Sequence, residues 1–91
     1  MYTKITYSND RDEDYWYFEL TTKTEEDFEK IENFLLKELS YYGIESVGCP
    51  TEDEDGFYDT FAINKEEETK GELMKEFRGA IKKFKKNNQI I

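Results

Sequence analysis

The residues best able to do chemistry in this chain are carboxylates, which are concentrated in two runs. The first run holds Asp10, Asp12, Glu13 and Asp14, and the second covers residues 52–55. Each run leads into an aromatic segment, so concentrated negative charge lies beside large contact surfaces. Carboxylates in such an arrangement can bind cations, transfer protons or contact a basic partner.

The first acidic run has part of the spacing of a calcium-binding loop. Asp10, Asp12 and Asp14 have the spacing of positions 1, 3 and 5 in an EF-hand loop. Tyr15 and Thr21 then stand where that loop needs glycine and glutamate. The second acidic run fails at the glutamate position as well. We therefore expect no metal site and no cofactor.

Enzyme catalysis is poorly supported by the remaining residues. The chain has no histidine, which is the usual proton shuttle at neutral pH. It has no glycine-rich phosphate loop and no nucleophile-elbow motif. Cys49 is the only cysteine, so it can form neither an intrachain disulfide nor a cysteine metal cluster, and we expect a small buried strand residue. The sequence therefore favours a protein that is not an enzyme.

Charge is distributed unevenly along the chain. The net charge is -9, and residues 1–76 hold all 22 acids and 8 of the 13 bases, a net of -14. The five bases after residue 76 suit the end of a helix, where cations complement the helix dipole. An acidic surface repels nucleic-acid phosphates and anionic lipids, and it attracts basic proteins. We expect a basic protein partner and no direct contact with nucleic acid or membrane.

Composition also bears on folding and location. Hydrophobic residues make up only 36% of the chain, but aromatic residues make up 16% and supply large buried areas. No apolar run approaches the length of a membrane span, and the N-terminus lacks the apolar segment of a secretion signal. We expect a folded, cytoplasmic protein.

The first half of the chain predicts two strands and a helix. Apolar and polar residues alternate over residues 1–8 and 15–20, which indicates a hairpin closed by the first acidic run. Thr24 is placed to cap a helix over residues 25–42, and Gly43 to end it.

The second half predicts the same order of elements. Residues 44–49 and 57–63 are expected to be strands joined by a turn over residues 51–56, with Asp59 interrupting the alternation of the second strand. Asn64 is placed to cap a helix whose first turn carries three glutamates, Glu66, Glu67 and Glu68.

Together these elements predict an α+β fold of order ββαββα. We expect one domain over residues 1–91 with pseudo-repeat halves 1–43 and 44–91, forming a four-stranded, mainly antiparallel sheet with two helices on one face. This tracing places Asp12 and Glu67 at the same end of the sheet. It also leaves four tyrosines, Tyr2, Tyr15, Tyr17 and Tyr58, on the open face, where they can pair with one another or contact a partner.

These features favour a small acidic inhibitor that imitates the charge of a nucleic-acid backbone and blocks a basic nucleic-acid-binding protein. In size, acidity and lack of catalytic residues the chain resembles phage proteins that block host defence systems, including some anti-CRISPR proteins. The alternatives are an immunity protein or antitoxin against a basic nuclease, and a homodimeric assembly protein. The residues expected to contact the partner are Asp10, Asp12, Glu13, Asp14, Tyr15, Tyr17, Tyr58, Glu66, Glu67 and Glu68.

Overall fold

The computed structural model describes residues 2–9, 11–48 and 50–88, which form five strands and two α-helices. In chain order they are β1 (Thr3–Tyr7), β2 (Tyr15–Thr22), α1 (Glu25–Glu38), β3 (Glu45–Ser46), β4 (Thr51–Asp53), β5 (Gly56–Asn64) and α2 (Lys70–Asn88). A short 3-10 helix, Ser40–Tyr42, follows α1. The predicted α+β class and the mostly antiparallel sheet are confirmed.

The sheet has the order β1-β2-β5-β3, and β4 also pairs with β5. All of these pairings are antiparallel. Because β2 occupies one side of β5, β3 and β4 lie end to end along the other side, where Ser46 is opposite Phe61 and Thr51 is opposite Tyr58. The predicted third strand over residues 44–49 is represented only by β3, and β4 forms from residues that were expected to belong to the following turn, which gives five strands instead of four.

The turn before β5 is tighter than the sequence suggests. Residues 51–53 were expected to belong to the turn, but they pair with β5 and leave only residues 54 and 55 between the strands. The carboxylate of Asp53 accepts hydrogen bonds from the amides of Asp55 and Gly56, which fixes the turn. Gly56 has φ 132°, and a Cβ there would lie 2.0 Å from the carbonyl oxygen of Thr22. Only glycine fits this close approach of β5 to the end of β2.

Helix α1 begins where the sequence predicts it to begin. The hydroxyl of Thr24 accepts a hydrogen bond from the Asp27 amide at 3.1 Å, and three acidic residues occupy the first turn. The α-helix ends at Glu38, earlier than expected, and the chain continues as the 3-10 turn up to Gly43. Gly43 has the left-handed φ of 66° that a helix-ending glycine supplies.

Helix α2 begins at Lys70, so the predicted start after Asn64 is wrong. The hydroxyl of Thr69 accepts a hydrogen bond from the Glu72 amide, an arrangement typical of a helix N-cap. Residues 65–67 form a turn instead, in which the Asn64 side chain accepts a hydrogen bond from the Glu66 amide. The three glutamates at 66–68 therefore precede the helix and do not form its first turn.

Both helices cover the same face of the sheet, and one core joins the two halves of the chain. Phe18 from β2, Phe61 from β5 and Phe77 from α2 are fully buried, with ring centres 4.6 Å apart for Phe18 and Phe77. Phe34 of α1 contacts Phe84 of α2 at 5.3 Å. This aromatic core supports the sheet from which the candidate site is built.

Candidate functional site

Two acidic loops meet at one end of the sheet. The loop between β1 and β2 carries Asp12, Glu13 and Asp14, and the loop between β5 and α2 carries three glutamates, Glu66, Glu67 and Glu68. The loops meet because β2 begins beside the end of β5, where the Lys65 amide donates a hydrogen bond to the Asp14 carbonyl at 2.8 Å. The expectation that Asp12 and Glu67 lie at the same end is confirmed. We call these six residues the acidic end.

The side chains of Lys65 and Trp16 connect the two acidic loops to each other and to the sheet. The Lys65 ammonium donates a hydrogen bond to the carbonyl of Asp12 and lies 4.5 Å from the centre of the Trp16 ring. The Trp16 indole in turn donates a hydrogen bond to the carbonyl of Glu68 at 3.1 Å. These contacts join β2, the first acidic loop and the second acidic loop into one unit.

The carboxylates of the acidic end differ in how far they are engaged. The Asp12 carboxylate accepts hydrogen bonds from the Asp14 amide at 2.7 Å and from the Tyr17 hydroxyl at 3.4 Å, so it shapes its own loop. The side chains of Glu13, Glu66 and Glu67 are exposed, and none forms an ion pair with a described residue. These three are the carboxylates best placed to meet a partner.

The predicted tyrosines do not lie together. Tyr15 and Tyr17 stand on the open face beside the acidic end, with ring centres 6.5 Å apart. Tyr58 lies opposite Thr21, six residues along β2 from Tyr15, which is about 20 Å away in a strand. The structure therefore separates Tyr58 from the other predicted contact residues. Asp10, and Cys49, which was expected to be a buried strand residue, lie outside the residues that the structure describes.

Three cations, which were not among the predicted site residues, surround a small cavity at the acidic end. Arg11, Lys65 and Lys70 line a cavity of about 240 Å³ together with four aromatic residues, Tyr7, Tyr15, Trp16 and Tyr17. The Lys70 ammonium lies 4.3 Å from the centre of the Tyr7 ring. Cations in such positions are attracted by the faces of aromatic rings. The six carboxylates of the acidic end are therefore accompanied by three bases, and their charge is partly offset.

A second group of polar residues lies on the helix-covered face of the sheet. Asp59 shares that face with Phe57, Phe61 and Ile63, so the polar residue that interrupts the apolar pattern of β5 places a carboxylate near the core. It is 7% exposed and accepts a hydrogen bond from the Ser46 hydroxyl at 2.7 Å. The sequence identifies Asp59 only as a break in the apolar pattern, because alternation alone does not show that the core-facing side of the strand accepts a buried acid.

Glu32 of α1 is the carboxylate most affected by this buried acid. Burial, and then the negative charges of Asp59 and Glu29, raise the pKa of Glu32 above its usual range. One oxygen of Glu32 is buried and has no hydrogen-bond partner among the described residues. Neither carboxylate lines any of the four cavities identified in the described part of the chain.

Comparisons with protein-family models, with curated proteins and with solved structures give no significant match to this chain. Within residues 2–9, 11–48 and 50–88, no three histidine, cysteine or acidic side chains are grouped as ligands for a metal ion. In the same residues, no helix is both long and apolar enough to cross a membrane.

Proposed function

We propose that this protein is a non-enzymatic inhibitor whose acidic end binds a basic, nucleic-acid-binding protein in place of nucleic acid. The observation that supports this proposal is the joining of the two acidic loops by Lys65 and Trp16. Two loops whose backbones are already held in place lose little backbone freedom when their carboxylates bind a partner. Carboxylates on such loops compete with a nucleic-acid backbone better than the same charges on a mobile chain.

The exposure of Glu13, Glu66 and Glu67 fits this role. Since none of them is paired with a described cation, a basic partner does not first have to break an ion pair. A net charge of -9 steers a positively charged partner towards the protein and speeds association. Because charge of this sign repels phosphates, the protein would compete with nucleic acid without binding it.

The neighbouring tyrosines supply contact area that charge alone does not. Tyr15 is 38% exposed and stands next to Tyr17 at the edge of the acidic end. Tyrosine is enriched at interfaces because its rigid ring buries apolar area while its hydroxyl remains hydrogen-bonded. In the proposed complex, the carboxylates bring the partner into register and the tyrosine rings slow its dissociation.

Affinity capture with matched variants tests the proposal. The wild-type chain, the triple variant Glu13→Gln/Glu66→Gln/Glu67→Gln and a control are used as bait in nuclease-treated host lysate at 50, 150 and 500 mM salt. The control, Glu52→Gln/Glu54→Gln/Asp55→Asn, removes the same number of exposed charges at the opposite end of the sheet. We expect the wild type and the control to retain a basic nucleic-acid-binding protein, the triple variant to lose it, and binding to weaken with salt.

Two outcomes of the capture experiment would contradict the proposal. Capture that is the same for the triple variant and the control, or that persists unchanged at 500 mM salt, would exclude the acidic end as the binding surface. A captured protein that still binds its nucleic acid while bound to the bait would exclude competition as the mechanism.

A further inference from the structure

A groove runs between the edge strand β1 and the C-terminal half of α2. Its volume is about 540 Å³, and its lining includes Thr3 and Ile5 from β1 and Ile81 from α2. The remaining lining residues are four bases of α2: Arg78, Lys82, Lys85 and Lys86. The groove thus has apolar side chains between the two elements and positive charge along the helix. We call it the β1 groove.

Among the described strands only β2 pairs with β1, which leaves the side of β1 that borders this groove without a strand partner in that part of the chain. Ser8 donates a backbone hydrogen bond to Tyr17, and hydrogen-bonded pairs alternate along two antiparallel strands. By this alternation the amides and carbonyls of residues 4 and 6 bond to β2. Those of Thr3, Ile5 and Tyr7 therefore point away from the sheet. A free edge of this kind is a template for another strand.

The bases of α2 fall into two groups according to their partners. On one flank, Lys75 forms an ion pair with Glu72 at 3.3 Å and Lys83 forms one with Glu38 at 2.7 Å. The four bases that line the β1 groove form no ion pair with any described residue. In a protein of net charge -9 these bases are a local excess of positive charge beside an unpaired strand.

Thr3 of β1 contributes a buried polar group to the β1 groove. Its hydroxyl is buried within the lining of the groove and has no hydrogen-bond partner among the described residues. A buried hydroxyl without a partner is unfavourable, and a polar group that enters the groove can satisfy it.

We propose that the β1 groove binds an extended acidic segment of a partner protein, which adds to the sheet as a strand beside β1. Alternate side chains of an added strand face the groove. A central apolar side chain would rest between Ile5 and Ile81, and glutamates two residues before and after it would meet Lys82 and its neighbouring bases. This surface is distinct from the acidic end, and its binding of a partner does not depend on the function proposed above.

A synthetic peptide tests the pairing directly. The probe is acetyl-Thr-Glu-Thr-Ile-Thr-Glu-Thr-amide, in which the glutamates and the isoleucine face the same side of a strand. Amide hydrogen exchange is followed by NMR on the full chain. The peptide should slow exchange at Ile5 and Tyr7, whose amides gain a partner, and leave Lys4 and Thr6 unchanged. A peptide of the same composition in the order Thr-Thr-Glu-Ile-Glu-Thr-Thr turns both glutamates away from the isoleucine and should bind at least about threefold more weakly.

Two double variants test the role of the unpaired bases. Lys82→Gln/Lys86→Gln should weaken peptide binding about three- to tenfold at 50 mM salt. The effect is modest because each exposed ion pair contributes little, and it is measured at low salt because screening is then weakest. Lys75→Gln/Lys83→Gln makes the same change in net charge on the opposite flank and should alter binding less than about twofold. Equal effects of the two variants, or unchanged exchange at Ile5 and Tyr7, would overturn the proposal.

Other occupants of the β1 groove give different results. If exchange at Ile5 and Tyr7 slows with rising protein concentration alone and light scattering shows a dimer, the groove holds a second copy of the chain. If a DNA oligonucleotide shifts the resonances of Arg78 and Lys82 while the peptide does not, the groove is an anion-binding surface. Either result contradicts the peptide proposal.

Discussion

Lys65 is the residue on which the geometry of the acidic end most depends, and replacing it gives a measurable loss of stability. Lys65→Met removes a hydrogen bond to the Asp12 carbonyl, which contributes about 0.5–1.5 kcal/mol, and a cation over the Trp16 ring, which contributes about 0.5–1 kcal/mol at an exposed site. Methionine keeps part of the contact with the ring through its sulfur. We therefore expect a loss of about 1–2 kcal/mol in the free energy of unfolding.

The assay is urea unfolding followed by circular dichroism, with thermal unfolding as a second measurement. A domain of this size loses about 4–8 °C in Tm for each kcal/mol. The matched control is Lys75→Met, which makes the same change in charge but removes only an exposed ion pair with Glu72, worth about 0.2–0.5 kcal/mol. Equal stability of the two variants would refute the idea that Lys65 fastens the acidic loops to the sheet.

Two further predictions concern the rest of the fold. Because the pKa of Glu32 is raised in the folded state by burial and by Asp59 and Glu29, the contribution of Glu32 to stability falls as pH rises through that pKa. Glu32→Gln should therefore raise Tm near pH 7 relative to wild type, and the difference should shrink towards pH 4; a difference that does not change with pH would contradict this. Gly56→Ala should lower the free energy of unfolding by more than about 1 kcal/mol, because the new Cβ would lie 2.0 Å from a backbone oxygen at a positive φ. Gly79→Ala is the control: Gly79 has open space around it in α2, so this variant should raise the free energy of unfolding by about 0.5–1 kcal/mol. Equal values of Tm for the two glycine variants would show that the close approach at Gly56 relaxes.

The elements with strong local patterns could be predicted from the sequence. Alternation identified β1, β2 and β5, and the Thr24 cap identified the start of α1. Since the end of β5 must lie beside the start of β2 in a sheet of this order, the meeting of the two acidic loops could be predicted as well.

The errors arose where contacts distant in sequence decide the structure. Asn64 is as good a helix cap as Thr69, but the Glu68 carbonyl accepts a hydrogen bond from the Trp16 indole and the Glu72 amide donates to the Thr69 hydroxyl, so the helix begins after Thr69. The sequence of β4 is polar and typical of a turn, and it becomes a strand only because it pairs with β5.

The composition of the site was also only partly predictable. Lys65 and Trp16 are 49 residues apart, so no local spacing indicates that they are in contact. The same is true of Ser46 and Asp59, whose hydrogen bond depends on the pairing of β3 with β5. Charge runs show where carboxylates are concentrated, but they do not show which cations the fold brings among them.

The two edges of the sheet are unequal, and this inequality limits how many molecules can join it. On the β5 side the edge is interrupted between Ser46 and Thr51, and Pro50, which has no amide hydrogen, lies in the gap. A long incoming strand therefore finds no continuous row of donors there, whereas β1 offers an unbroken one. A sheet that can be extended on one side only cannot link two added strands through its two edges, which disfavours growth into a fibre by repeated strand addition.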